Sequence, residues 1–259
     1  QRCLDNIVAF TTLFTDAGST QVSSDGDAIY QANDKSGEGN NVIQATLDNR
    51  PLYKTGIQNG LSSGYFNTDD FLARSDALGF SGNPAITVIG VWKCTNATYA
   101  SNCLMQLGKN PADGGAVIYY RFDGSGGEFS YRFNNGNQLF DYDYDYNTTR
   151  LTTFRRASGA TYGEGEFFLG GDQITQTGAG NPDTILSLVD DQTYIGGFAG
   201  GGETVPSGFL EGYICELIVY NSALSIEDRQ SVESYLLDKW FLIGGTVSPA
   251  HIPSLVQNI

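Results

Sequence analysis

The chain has 259 residues and a formal net charge of −15, from 14 Lys+Arg against 29 Asp+Glu. That balance excludes a nucleic-acid binder that works by neutralising phosphates, and it opposes docking on an anionic membrane. Hydrophobic residues at 40% suffice for a real core, while one His and one Met remove most imidazole chemistry and any Met-rich groove.

The start, Gln1-Arg2-Cys3, carries no apolar leader segment, so the chain reads either as a mature form cut after one or as a fragment. Strand signals then recur at short spacing between Gly, Asn and Asp punctuation, the pattern of a β-sandwich. In chain order they are Ile7–Phe14, Tyr53–Lys54, Gly64–Phe66, Ala85–Lys93, Leu104–Gly108 and Ala116–Phe122. Further on come Gly127–Phe133, Leu139–Tyr146, Thr152–Arg156, Glu166–Leu169, Thr193–Gly196 and Gly212–Tyr220. The longest apolar run, Ala85–Trp92, is strand-sized and far short of the ~18–20 residues that cross a bilayer. One helix is predicted, Ile226–Phe241, capped by Ser225 with Asp228 as capping-box partner. Val232, Tyr235, Leu236 and Trp240 form its apolar face, and Gly244-Gly245 ends it. The expected organisation is one domain over residues 1–245 and an extended tail over 246–259, interrupted by Pro249 and Pro253.

Cys94 and Cys103 bracket a polar octapeptide between two strand-like runs. A hairpin there would hold its stems within ~5.5 Å, inside disulfide reach, which leaves Cys3 and Cys215 to each other. Two bridges imply an oxidising compartment, and the alternative is four thiols in a reducing one. Sequons occur at Asn96 and Asn147, in predicted loops. With this composition chance alone supplies about three such triplets, so they say little.

Asn135-Gly136 favours a two-residue type I′ turn, which sets Tyr131 against Phe140 and Phe129 against Tyr142. Every aromatic of the hairpin then shares one face. The other face carries Glu128, Ser130 and Arg132 against Asp143, Asp141 and Leu139, with Asp145 beyond. Such an acidic ladder, with Tyr144 on the same strand, fits a half-exposed structural strand. It also fits a ligand surface, since carboxylates accept sugar hydroxyls, or a carboxylate pair for glycoside hydrolysis. Arg155 on the next predicted strand is the nearest neutraliser. His251 stands alone in the tail, and nothing in the body of the chain supplies the His of a nucleophilic triad or a CxxC zinc site.

Several segments together resemble the laminin-G-like, concanavalin A-like lectin/glucanase superfamily, in its bacterial and phage-type modules. They are Ser24-Asp25-Gly26-Asp27 leading to the 33–40 loop, Arg50-Pro51-Leu52-Tyr53 with Asn59-Gly60, and the 166–172 stretch. Gly212–Asn221 and the closing helix complete the series, which covers roughly residues 20–243. The resemblance implies an all-β jelly-roll sandwich of two antiparallel sheets with one C-terminal α-helix, whose concave face and rim loops bind glycans or Ca²⁺. Retaining glucanases of that superfamily carry E-x-D-x-x-E on a strand. Asp141-x-Asp143-x-Asp145 departs from it in spacing and lacks Glu, so an enzyme is not expected. For Ca²⁺, the one cofactor in view, Asp25, Asp27, Asp34, Asp69 and Asp70 lie in loop-like stretches that supply oxygen ligands.

The expected function is therefore a non-catalytic, extracellular or virion-surface module that binds a glycan or polysaccharide. The alternative is a structural subunit of a fibre, capsid decoration or matrix, assembling with copies or neighbours through residues 246–259. A polysaccharide hydrolase or lyase on the same scaffold comes third.

Overall fold

The computed structural model describes residues 13–16, 20–96, 102–108, 118–123, 128–133, 136–140, 146–179, 183, 185–199, 203 and 205–241. Its strands begin with β1 (Leu13–Phe14), β2 (Gln31–Ala32), β3 (Val42–Ile43), β4 (Leu52–Gln58), β5 (Leu61–Phe66) and β6 (Leu72–Arg74). The middle of the chain forms β7 (Ile86–Cys94), β8 (Asn102–Leu107), β9 (Ile118–Asp123), β10 (Glu128–Phe133), β11 (Gly136–Phe140) and β12 (Arg150–Arg156). Then follow β13 (Glu166–Leu169), β14 (Asp172–Ile174), β15 (Gln176–Ala179), β16 (Thr193–Ile195), β17 (Gly197–Phe198), β18 (Gly208–Phe209) and β19 (Gly212–Tyr220). Helix α1 (Ile226–Trp240) closes the series.

Two antiparallel sheets stack. Among the described residues one runs β1-β2-β3-β6-β16-β8-β9-β10-β11-β15 and the other β14-β13-β12-β7-β19-β5-β4. Long jumps between sequence neighbours make the jelly-roll sandwich that the sequence predicts. Between the sheets lie Phe66, Trp92, Leu104, Phe154, Phe167, Ile195 and Leu217, all at 1% exposure or less. Trp92 satisfies its indole N–H there by donating to Thr152 Oγ1 at 2.9 Å.

β7 is buried on both faces along most of its length, which explains its nearly continuous apolar run. Its second face, with Ile89 and Val91, packs under α1 together with Leu151, Cys215, Ile218 and Tyr220. The predicted cap holds, since Ser225 Oγ accepts from the Asp228 N–H at 3.1 Å. Val232, Leu236 and Trp240 are buried as expected, but so are Arg229 and Glu233. These two form an ion pair one helical turn apart. Glu233 Oε1 also accepts from Thr153 Oγ1 at 2.7 Å, and the Arg229 guanidinium lies 3.7 Å over Phe168. A buried pair so satisfied reads from sequence as ordinary helix surface.

Several expectations change. In the β10–β11 hairpin Phe133 pairs with Gly136 and Phe129 with Phe140, two residues away from the register that Asn-Gly favours. A slip of two keeps every residue on its face, so alternation cannot tell the registers apart, whereas a slip of one would be penalised. Glu128 pairs with Asp123 of β9. Asp141, Asp143, Tyr144 and Asp145 lie outside the described residues, as do Cys3 and the whole of 246–259.

Cys94 ends β7 in one sheet and Cys103 is the second residue of β8 in the other, so no hairpin brings their stems together. The structure holds Cys94, Cys103 and Cys215 as buried thiols, against the expected Cys94–Cys103 bridge. Burial pushes the Cys94 and Cys215 thiols up to about 12. Arg155 belongs to β12 in the opposite sheet from β11, where it pairs with Glu166 and donates to Leu224 O at 2.6 Å rather than serving the acidic ladder.

Beyond β16 the chain turns at Gly196, with φ +78°, and a Cβ there would lie 2.2 Å from the Phe66 ring. Both the backbone region and the space therefore demand glycine. Gly196→Ala is expected to cost about 3 kcal/mol or more in urea unfolding, and a loss below about 1 kcal/mol would contradict this packing.

Candidate functional site

The acidic loops do not converge. Among the described residues no three His, Cys, Asp or Glu form a group able to hold a metal ion. Each of the five aspartates is instead placed by its own loop. Asp25 accepts from the Thr55 N–H at 2.9 Å and pairs with Lys54 at 3.2 Å, contacts that hold its carboxyl below the usual range. Asp27 Oδ2 takes the N–H groups of Ser23 and Ser24, which lower it likewise. Asp34 accepts from Ser36 N, Ser36 Oγ and Asn40 N at 2.7–2.9 Å and so organises the 34–40 loop. Asp69 is exposed, and its carbonyl accepts from Asn49 Nδ2. Asp70 is 5% exposed and accepts from the Asn67 N–H at 2.8 Å.

What does converge lies at one end of the β5–β19–β7 trio, past the end of the helix. Register sets Tyr213 beside Tyr65 on one side and Lys93 on the other. The two phenol rings stand 5.0 Å apart at 48°, and the Lys93 ammonium sits 4.6 Å over the Tyr213 ring. All three side chains are half-buried. Neither phenol hydroxyl is hydrogen-bonded to another described residue.

Next to this row Glu211 is pinned. Its carbonyl accepts from Thr95 N at 2.8 Å, its N–H donates to Asn102 Oδ1 at 3.0 Å, and Asn96 Nδ2 donates to its carboxylate at 2.6 Å. Burial, then the charges of Glu211, Tyr213 and Asp70, raise the Tyr65 phenol above its ordinary value, so it stays a neutral donor. Half-exposed rings, an ammonium, a fixed carboxylate and an amide form an amphipathic platform: aromatic faces meet C–H surfaces while the polar groups meet hydroxyls.

The sequons differ in consequence. Asn96 spends its amide on Glu211, which a glycan would break, whereas Asn147 is exposed in a left-handed turn with φ 64°. An open cleft of about 640 Å³ between Gly163–Glu166 and Gln173–Gln176 is less suited to recognition. Its Glu164 is consumed by a capping box with Thr161 and its Glu166 by Arg155, and among the described residues no aromatic side chain lines it.

No family model matches the sequence, and no curated protein is significantly similar to it. Solved structures are similar in fold. A GH54 α-L-arabinofuranosidase soaked with a cyclic sulfate inhibitor matches with a TM-score of 0.58 and 17% identity, over 85% of this chain and 53% of that one. A mutant GH54 α-L-arabinofuranosidase soaked with 4-nitrophenyl α-L-arabinofuranoside matches at 0.56, again 17% identical over 85% and 53%. An arabinofuranosidase complexed with arabinofuranosyl-α-1,2-xylobiose matches at 0.55 and 16%, over 80% and 50%. The chain thus spans about half the length of these structures, and what they share with it is the β-sandwich.

Burial pushes the Asp70 carboxyl up to about 6, with the charge of Asp69 adding to the rise and the Asn67 N–H opposing it. A folded-state value above the unfolded one, near 4, means that stability is fullest below pH 4 and is lost as pH rises toward 6. Asp70→Asn keeps an acceptor for Asn67 and removes that loss. It is expected to stabilise the protein at pH 7 by roughly 1–2 kcal/mol and to be near neutral at pH 4, as thermal melts at the two pH values would show. Equal effects at both would contradict the assignment.

Proposed function

We propose that this chain is an extracellular, non-catalytic recognition module that binds glycan on the rim formed by Tyr65, Tyr213, Lys93 and Glu211. The observation that carries the proposal is the pair of half-buried phenol rings whose hydroxyls bond no other described residue, beside an ammonium and a carboxylate already held in place. Rings fixed by strand register lose little freedom on binding, so their contact area converts efficiently into affinity. The arrangement supplies donors and acceptors for hydroxyl groups and a face for the apolar side of a sugar ring. The sandwich fold supports it as a scaffold, and fold alone does not define chemistry.

The non-catalytic character rests on the polar groups themselves. Glu211 is committed to Asn96 and to the backbone, and Asp70 is closed off by burial. Among the described residues no helix is long and apolar enough to cross a membrane. The acidic balance of the chain agrees with work in solution or at a cell-wall polymer rather than on anionic lipid.

Glycan-array binding followed by calorimetry on the best ligand tests the proposal. Tyr213→Ala is expected to weaken binding at least tenfold and Tyr213→Phe by much less, because the ring carries the contact. Unchanged affinity in Tyr213→Ala, with the fold intact by circular dichroism, would remove the rim from the function. Turnover of the bound glycan, abolished by Asp70→Asn, would replace recognition with hydrolysis.

A further inference from the structure

A second concavity lies farther along β19 and is built differently. β5 and β19 pair only from Gly212–Phe66 to Ile214–Gly64. β19 then bulges, with a register shift between Ile214 and Glu216, and continues against β7 alone. The seven-stranded sheet opens there into a cavity of about 320 Å³, walled by Leu61 and Ser62 of β5 and by Cys215 of β19. That is the small end of the ~300–1,000 Å³ typical of ligand pockets, with room for a single substituted ring.

Polar ties keep this opening from collapsing. Lys239 and Trp240, from the last turn of α1, complete the wall. The Trp240 indole N–H and Lys239 Nζ both donate to Glu216, at 2.6 and 2.7 Å. Gln58 and Asn59 hold the same turn through the carbonyls of Trp240 and Lys239, each at 2.9 Å. Tyr53, a further wall residue, is fixed by donating to Ser62 Oγ at 2.8 Å. Walls set before a ligand arrives lose little freedom when it binds.

The lining is mixed and balanced in charge. Tyr53, Leu61 and Trp240 give it ring and apolar surface, while Ser62 keeps its own hydroxyl proton to donate. The Gln21 amide brings a donor and an acceptor to the exposed mouth. Among the described residues Lys239 is the only charged one in the lining, and the buried Glu216 neutralises it. An ion entering here would shed its water and meet no countercharge, so charge is selected against. A purely apolar ligand would cover the hydroxyl and the amide without bonding them. A ring with a C–H face and peripheral hydroxyls suits both halves of the wall.

We propose that this cavity binds one neutral sugar ring, its hydroxyls on Ser62 and Gln21 and its C–H surface against Tyr53, Leu61 and Trp240. The site is independent of the tyrosine rim and shares no residue with it.

Titration with D-glucose, D-galactose, D-xylose and L-arabinose tests this, read by calorimetry and by tryptophan fluorescence. Glucuronate, glucosamine and cyclohexanol serve as charged and apolar counterparts. Trp240 lines the cavity whereas Trp92 is sealed in the core, so a saturable spectral change reports this site. At least one of the neutral sugars is expected to saturate, and to bind at least tenfold more tightly than any counterpart. Ser62→Leu should abolish that response by filling the space, and Tyr213→Ala should leave it unchanged. Gln21→Trp, which plugs the mouth from its exposed side, should also abolish it, and still decides should Ser62→Leu fail to fold. No saturable response to any neutral sugar in the folded wild type, a counterpart bound as tightly, or full affinity in a folded plugged variant would overturn the assignment. Loss in Tyr213→Ala with the plugged variants unaffected would overturn it too, by placing the sugar at the rim.

Discussion

One buried carboxylate governs what the outer face of the seven-stranded sheet can do. Glu216 is 3% exposed and accepts from both the Lys239 ammonium at 2.7 Å and the Trp240 indole N–H at 2.6 Å. An ionised group so deep is tolerated only when its partners are in place, so it specifies where the last turn of α1 must lie. The same turn is tied from β4 and its adjoining turn, where Gln58 Nε2 donates to Trp240 O and Asn59 Nδ2 to Lys239 O, each at 2.9 Å. Helix and sheet are thereby fixed in one relative position. The helix covers Ile89, Val91 and Ile218 and stops before Lys93 and Tyr213.

Two features follow from where the helix stops. Beyond it the tyrosine row stays open, with its rings set by strand register alone. Beneath its last turn the bulge at Cys215 cannot be closed by β5, so a cavity remains with a lysine at its wall. Lys93 stands at the tyrosine row and Lys239 at the cavity wall, so in this acidic chain each opening has an ammonium at its edge.

The fold was readable because burial leaves a period. β7 is covered on both faces and appears within an eight-residue run whose one polar side chain is Thr87, β19 begins and ends where expected, and the Ser225 cap announces the helix. Two-residue strands such as β2, β3 and β17 lack room for any period and were missed. The β10–β11 register failed for a different reason, since alternation constrains parity and a displacement of two is silent to it. The cysteine pairing presumed that neighbours in sequence share a sheet, whereas the segment after Cys94 crosses to the other one. The candidate rim was invisible because Tyr65, Lys93, Glu211 and Tyr213 come from three separate stretches. Pairing registers unite them, and no local spacing does. Asp70, singled out as a metal ligand, proved to be a buried turn carboxylate, which composition cannot distinguish from an exposed one.

The most direct measurement on this clamp is the unfolding free energy of Glu216→Gln, with amide hydrogen exchange on α1. Removing the charge while Lys239 and Trp240 remain should cost about 3 kcal/mol or more and should release protection in the last two turns of the helix before the rest of the molecule. A loss below about 1 kcal/mol with exchange of α1 unchanged would show that apolar packing alone positions the helix, and the carboxylate would lose its governing role.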